Sequence, residues 1–296
     1  EETLFEGIHK LLPGHFLAVA ADGSFRRQHY WRLCFEPDEG PGEAQWRERF
    51  RETFATAVRL RMISDVPLGA YLSGGLDSSL IVAAMSEIST SPVEAFSVAF
   101  RAGRFNELPH AVEVARRFGC RHHIPRPEDE AADLLDRVVH HLDEPLGDLA
   151  AIPTYLMARE TKPRVSVVLS GEGADELLAG YPKYRAFLAG QRVASWLPNG
   201  FADMATRFPG TTSPIALSRM LGSLAGPDRG AAYLRLSAVF TPEERNLLLT
   251  DGLHPYLMRA AEVEESIRPH FLGKPDGLSE LLSLDFHTWL PDDLLL

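Results

Sequence analysis

Two cysteines are all the chain has, Cys34 and Cys120, and they lie too far apart to fit a metal or thiol-redox spacing. Zinc modules and disulfide frameworks are excluded, which leaves two reduced structural thiols. Hydrophobic runs are short: none approaches the length that spans a bilayer, and the N-terminus carries no secretory pattern. Positive charge is scarce as well. Lys and Arg number 30 against 41 Asp and Glu, a net charge of -11, and no basic cluster has aromatics interleaved with it. These absences predict a soluble, cytoplasmic protein with neither nucleic acid nor membrane as a partner. Internal repeats and low-complexity tracts are lacking too. What remains is ordinary globular composition, 45% hydrophobic and 24% charged over 296 residues, enough for one large α/β domain or two smaller ones.

The stretch around which the rest is organised is Asp65 to Met85. Val66 to Leu72 is a short apolar run that suits a buried strand. It breaks into Ser73-Gly74-Gly75, and a helical pattern at Leu80, Ile81, Ala84 and Met85 follows at once. Strand, glycine loop and helix aim free backbone N–H groups and a helix N-terminus at an anion. Gly74 and Gly75 let the backbone approach a ligand, and Ser73, Ser78 and Ser79 add hydroxyls. Asp77 is the unusual member. A carboxylate beside a phosphate repels it unless a divalent cation lies between, so Asp77 reads as a Mg²⁺ ligand. This is not a Walker loop, because no Gly-Lys-Ser/Thr occurs. The bland alternative is a glycine turn with an aspartate at a helix start.

Taken in order, the chain opens with a hairpin, Phe16 to Ala20 and Ser24 to Trp31, closed over Ala21-Asp22-Gly23. Two strands cannot bury their own faces, so residues 1–36 are expected to be the end of an upstream domain, with the polar stretch Glu36 to Gly42 as linker. A helix follows from Glu43 to Met62, and its stripe of Trp46, Phe50, Phe54 and Val58 is expected to pack on the sheet. Further strands are predicted at Glu94 to Phe100, Arg121 to Ile124 and Val165 to Ser170. Helices are predicted at about 107–118, 128–141 and 148–160. The two histidine pairs, His122-His123 and His140-His141, read as surface or packing residues. The alternation predicts a doubly wound parallel sheet, whose ligands sit beyond the strand carboxyl ends where strand order switches. After about Tyr184 helices dominate, one of them starting at Thr241-Pro242-Glu243-Glu244; Leu247 to Leu249, Leu281, Leu282 and Leu284 are expected in the core.

The strand ending at Ser170 breaks into a second glycine loop, Gly171-Glu172-Gly173-Ala174-Asp175-Glu176, with Gly180-Tyr181 beyond it. Alone, these acids could simply suit a helix N-terminus. Beside the first loop, one could share Mg²⁺ with Asp77 and another could act as a general base.

The first loop, Ser73 to Ser79, resembles the pyrophosphate-binding loop of the ATP pyrophosphatases. The two loops together closely resemble the synthetase domain of the glutamine-dependent asparagine synthetases. Asp143-Glu144-Pro145, Asp148, Ile152 to Tyr155 and Thr288 to Leu295 fit the same family. Phe5 to Ile8, Pro13 to His15 and Tyr30-Trp31 look like the tail of its glutaminase domain. The resemblance implies an α/β, doubly wound parallel sheet of the ATP pyrophosphatase (adenine nucleotide alpha hydrolase-like) type with a helical C-terminal part. It assigns 1–36 to the glutaminase remnant and 37–296 to a synthetase domain truncated at its C-terminus.

It also implies roles. Ser73, Gly74, Gly75, Asp77, Ser78 and Ser79 would hold the ATP phosphates, with Asp77 on Mg²⁺. The Leu72 and Val98 backbones would lie near adenine, Ser170 and Gly171 would face an acyl-adenylate, and Glu172 would be the general base. Asp175 would contact metal or substrate. The implied reaction activates the side chain of aspartate with ATP and transfers ammonia from glutamine to it; a homodimer is left open. The family continues past the match to Trp289 to Leu295, and a later lysine that assists adenylation has no counterpart in these residues. Rival readings are relatives that adenylate another carboxylate, such as β-lactam synthetases and lasso-peptide cyclases, or a non-catalytic homologue.

Overall fold

The computed structural model describes residues 3–36, 38, 40–99, 107–126, 131–144, 146–148, 150–194, 229–238, 240, 242–253 and 277–294. In chain order the strands are β1 (His15–Val19), β2 (Phe25–His29), β3 (Leu68–Tyr71), β4 (Glu94–Phe96), β5 (Arg121–His123) and β6 (Val167–Leu169). The helices are α1 (Glu43–Arg61), α2 (Leu76–Ile88), α3 (Leu108–Arg117), α4 (Ala131–Leu142) and α5 (Ala151–Thr161). They continue as α6 (Ala174–Leu178), α7 (Pro182–Ala194), α8 (Arg229–Ser237), α9 (Pro242–Leu248) and α10 (Gly277–His287). A π-helical turn, Leu290–Leu294, follows α10. Two compact units result: Glu1–Leu12 with Glu36–Glu172, and Pro13–Phe35 with Gly173–Leu294.

The first unit is built on a four-stranded sheet in the order β5-β4-β3-β6, parallel throughout. From β3 the chain winds outward through β4 to β5, then returns to place β6 on the other side of β3. The order therefore reverses between β3 and β6, and the crevice at their carboxyl ends is where such sheets bind ligands. Ala70 of β3, Ala95 and Phe96 of β4, and Leu72 just beyond β3 are buried. Val82 and Met85 of α2 and Val58 of α1 complete this core.

Only the second half of the α1 stripe behaves as expected. Val58 is buried and Phe54 packs against the core, whereas Trp46 is 44% exposed and Phe50 42% exposed. The end of the stripe nearest β3 thus joins the core, and its first two turns are exposed. The fifth helix begins at Ala151 rather than Asp148, because the Asp148 carboxylate accepts the Ala150 N–H at 2.9 Å and forms the turn before it.

In the second unit the predicted hairpin is present, with β1 and β2 antiparallel from His15↔His29 to Val19↔Phe25. Asp22 shapes its turn by accepting the Ser24 N–H at 2.9 Å. The core joins Tyr184 and Phe187 of α7, Tyr233 of α8, and Leu281, Leu282 and Leu284 of α10. A charge is buried inside it. The Asp285 carboxylate accepts hydrogen bonds from the Tyr184 and Tyr233 hydroxyls, both at 2.7 Å, and pairs with Lys183 Nζ at 2.7 Å. Lys183 is ringed by Tyr181, Tyr184, Tyr233 and Trp289, at 5.0, 5.7, 5.6 and 5.0 Å from their centroids. Burial and the adjacent carboxylate push both Tyr184 and Tyr233 far above the ordinary phenol range, so these hydroxyls act as donors at any working pH.

Helices do dominate here, and Leu281, Leu282 and Leu284 are core residues as read from the sequence. Leu247 and Leu248 are not: they are 85% and 64% exposed on the short helix α9. Phe100, residues 128–130, Pro145, Thr241 and Leu295 lie outside the described residues. Among the described residues no helix is long and apolar enough to cross a membrane, and both cysteines are free.

Candidate functional site

The chain leaves β3 through buried Leu72 and turns at Ser73-Gly74-Gly75 into α2. Serine hydroxyls brace the turn. Ser73 Oγ accepts the Gly75 N–H at 3.1 Å, Ser78 Oγ accepts the Ser73 N–H at 3.2 Å, and Ser79 Oγ donates to the Gly75 carbonyl at 2.6 Å. Two of the hydroxyls, Ser73 Oγ and Ser78 Oγ, also meet at 3.0 Å. Gly74 has φ +92, and a Cβ there would lie 2.5 Å from the Ala111 N and 2.8 Å from the His110 Cβ. The loop therefore rests directly on the first turn of α3, which only glycine permits.

No side chain caps the N-terminus of α2, so its first-turn N–H groups are available to an anion. Asp77 stands in that turn, half-buried, and among the described residues its carboxylate makes no hydrogen bond or ion pair. No group of three or more His, Cys, Asp or Glu side chains among the described residues could by itself hold a metal ion. Open amides beside one uncommitted carboxylate suit a cation that brings phosphate oxygens as its other ligands. Mg²⁺ is bound in that way.

The second loop meets the first. A Cβ on Gly171 would lie 3.0 Å from the Asp77 Cβ and 3.1 Å from the Ser78 N, so the chain leaving β6 passes against the start of α2. Ser170 and Gly171 are partly buried and Glu172 is exposed, all three in the first unit. Asp175 belongs to the second unit, in the first turn of α6. Beside it Glu176 is fully buried, one oxygen accepting from Tyr181 Oη at 2.8 Å.

The sequence reading missed two residues at the β4 end, Ser97 and His122. Ser97 Oγ donates to the Leu72 carbonyl and meets His122 Nε2 at 2.7 Å. Burial, aided by neighbouring His123, holds the His122 imidazole below its ordinary range and hence neutral at pH 7. In sequence Ser97 shows only as a lone serine within the apolar run Ala95-Phe96-Ser97-Val98-Ala99, and its partners are set by strand pairing. Of the other histidines, His123 stacks on Phe96 at 5.0 Å and meets Glu94 Oε2 at 2.6 Å, and the exposed His141 lies 5.5 Å from Tyr155.

A parallel sheet with two glycine loops at its switch point, one of them carrying an acid beside an open helix start, defines an α/β fold of the ATP pyrophosphatase type. The model of the asparagine synthase family matches residues 49–296, and the chain belongs to that family. It is 33% identical over 302 residues to glutamine-hydrolyzing asparagine synthetase 1 of Bacillus subtilis, covering 99% of this chain and 46% of that protein. Against glutamine-hydrolyzing asparagine synthetase B of Escherichia coli it is 33% identical over 189 residues, covering 58% of this chain and 34% of the other. Amidase chyE of Penicillium rubens is 30% identical over 214 residues, covering 66% of this chain and 32% of that protein. The chain thus spans about half the length of the Bacillus relative.

Proposed function

We propose that this chain carries the synthetase site of an ATP-dependent carbon–nitrogen ligase that makes asparagine from aspartate. The observation that carries the reading is the approach of Gly171 to Asp77 and Ser78, which sets the second loop against an anion site at the sheet's switch point. The loop Ser73, Gly74, Gly75, Ser78 and Ser79 holds the β- and γ-phosphates at the open start of α2, and the Leu72 and Val98 backbones lie along adenine. A carboxylate oxygen of the aspartate side chain attacks the α-phosphorus and pyrophosphate leaves, which turns a poor acyl donor into a mixed anhydride. Ammonia then attacks the carbonyl carbon, Glu172 takes a proton from it, and AMP leaves. Ser170 and Gly171 face the acyl-adenylate.

Mg²⁺ would be held by Asp77 together with phosphate oxygens of the nucleotide, and would supply neutralisation of phosphate charge. Glutamine is the ammonia source that the relatives' names suggest, and residues 1–36 are proposed to be the end of a glutaminase domain. Activation of a different carboxylate is the second reading, favoured by the amidase-named relative.

The test uses the full-length protein with Mg·ATP, ammonium and aspartate. Asparagine formed in step with AMP is expected, and AMP formed only with another carboxylate would overturn the choice of substrate. Glu172→Gln should keep ATP–pyrophosphate exchange while slowing amide formation about 100-fold or more. Equal loss of both would remove its role as base.

A further inference from the structure

The pairing of β3 with β4 dictates which backbone groups should meet at the carboxyl ends of these strands. Leu72 N–H donates to the Phe96 carbonyl at 2.8 Å. On the far edge, Ser97 and Ala99 donate to the carbonyls of His123 and Pro125, at 3.0 and 3.1 Å. Successive N–H groups of an extended segment point to opposite sides. The Val98 N–H, between these two, is therefore turned toward β3, where the parallel register supplies the Leu72 carbonyl as its partner.

That carbonyl has two lone pairs, yet it is drawn to a side chain and leaves the ladder bond to Val98 unmade. Ser97 Oγ donates to it, and among the described residues the Val98 N–H has no acceptor. A hydroxyl has one hydrogen. Since Ser97 gives it to Leu72, the 2.7 Å contact with His122 must run the other way, with imidazole Nε2–H donating to Ser97 Oγ. The chain of donors is thus directional, from His122 through Ser97 to Leu72. It crosses three adjacent strands and ends one residue before the phosphate loop. Ser97 is buried, so its hydroxyl cannot exchange these partners for bulk water.

A backbone donor held off its ladder costs free energy unless something else accepts from it. Val98 is half-buried at the strand ends that flank the crevice. We propose that Ser97 and His122 are positioning residues which, by holding the Leu72 carbonyl on the Ser97 hydroxyl and out of line with Val98, keep the Val98 N–H available to an acceptor nitrogen on the edge of a nucleotide base. The proposal rests on the nucleotide reading of the loop above and assigns to that reading its means of holding the base. Neither side chain touches the ligand; both act through the backbone of Leu72 and Val98.

The experiment is calorimetric titration of the full-length protein with Mg·ATP and, separately, with magnesium pyrophosphate, which has no base. Ser97→Ala should free the Leu72 carbonyl to take the Val98 N–H, weakening ATP about tenfold and pyrophosphate less than twofold. His122→Ala should do the same, and His122→Gln, whose amide keeps a donor, should recover most of the loss. Nitrogen NMR of the wild type should find the His122 proton on Nε2. Equal loss of ATP and pyrophosphate in Ser97→Ala, or unchanged binding of both, would overturn the proposal while leaving the nucleotide site in place. Wild-type protein that binds pyrophosphate but not ATP would instead overturn the reading on which it rests.

Discussion

Two polar sites, one in each unit, are handled in opposite ways. At the start of α2, the first-turn amides, the Asp77 carboxylate and, one strand over, the Val98 N–H are presented without partners among the described residues. In the second unit, Asp285 takes two tyrosine hydroxyls and the Lys183 ammonium on one oxygen, with four aromatic rings around the cation. Buried charge is tolerated only when paired and hydrogen-bonded, and the Asp285 cluster meets that condition without any ligand. The loop does not, and its unspent donors and acceptor are what a phosphate with its cation would satisfy. One arrangement serves folding; the other is kept for binding.

Substitutions can break this comparison at either end. The largest effect is expected for Asp77→Ala, which should cut ATP-dependent turnover by about a thousandfold or more while leaving the urea midpoint nearly unchanged. Wild-type activity in that variant would remove the metal assignment. Asp285→Ala should act on stability instead, costing about 3–5 kcal/mol in urea denaturation because it strands Lys183 and two tyrosine hydroxyls. Asp285→Asn, which keeps an acceptor, should cost less. A loss for Asp285→Ala below about 1 kcal/mol would show that the cluster is not a closed network.

The smallest effect sharpens the rule within the first unit. Burial raises the Glu94 carboxyl, but hydrogen bonds from His123 and Arg121 outweigh it and hold the group below the ordinary carboxylate range. Its contribution is therefore present above that range and lost as pH falls through the lowered value. Glu94→Gln should cost about 1 kcal/mol near neutral pH, and the two proteins should converge in acid. Parallel curves with no convergence would contradict the sign.

What the sequence disclosed follows from the reach of the interactions involved. Both glycine loops and the hairpin turn at Asp22 are encoded within short windows, and the alternation of strands with helices pointed to a parallel sheet; the structure contains all of these. Leu281, Leu282 and Leu284 sit on a helix long enough to bury one face. The Leu247–Leu249 run lies at the end of a seven-residue helix, where consecutive leucines cannot share a face and two of them meet solvent. Trp46 and Phe50 had the right period, but among the described residues both stay exposed on the first turns of α1. The link from His122 through Ser97 to Leu72 was invisible for another reason. It joins residues 25 apart in sequence at each step, and no local pattern announces a contact made only when strands pair.

The central claim is that the open loop directs a carboxylate onto the α-phosphorus of ATP. Aspartate labelled with oxygen-18 in its side-chain carboxylate tests it most directly, with the full-length protein, Mg·ATP and ammonium. The account predicts one labelled oxygen in the phosphate of AMP and none in pyrophosphate, because the bond cleaved by ammonia leaves the aspartate oxygen on phosphorus. Label appearing in inorganic phosphate alongside ADP would place the attack on the γ-phosphorus and contradict it.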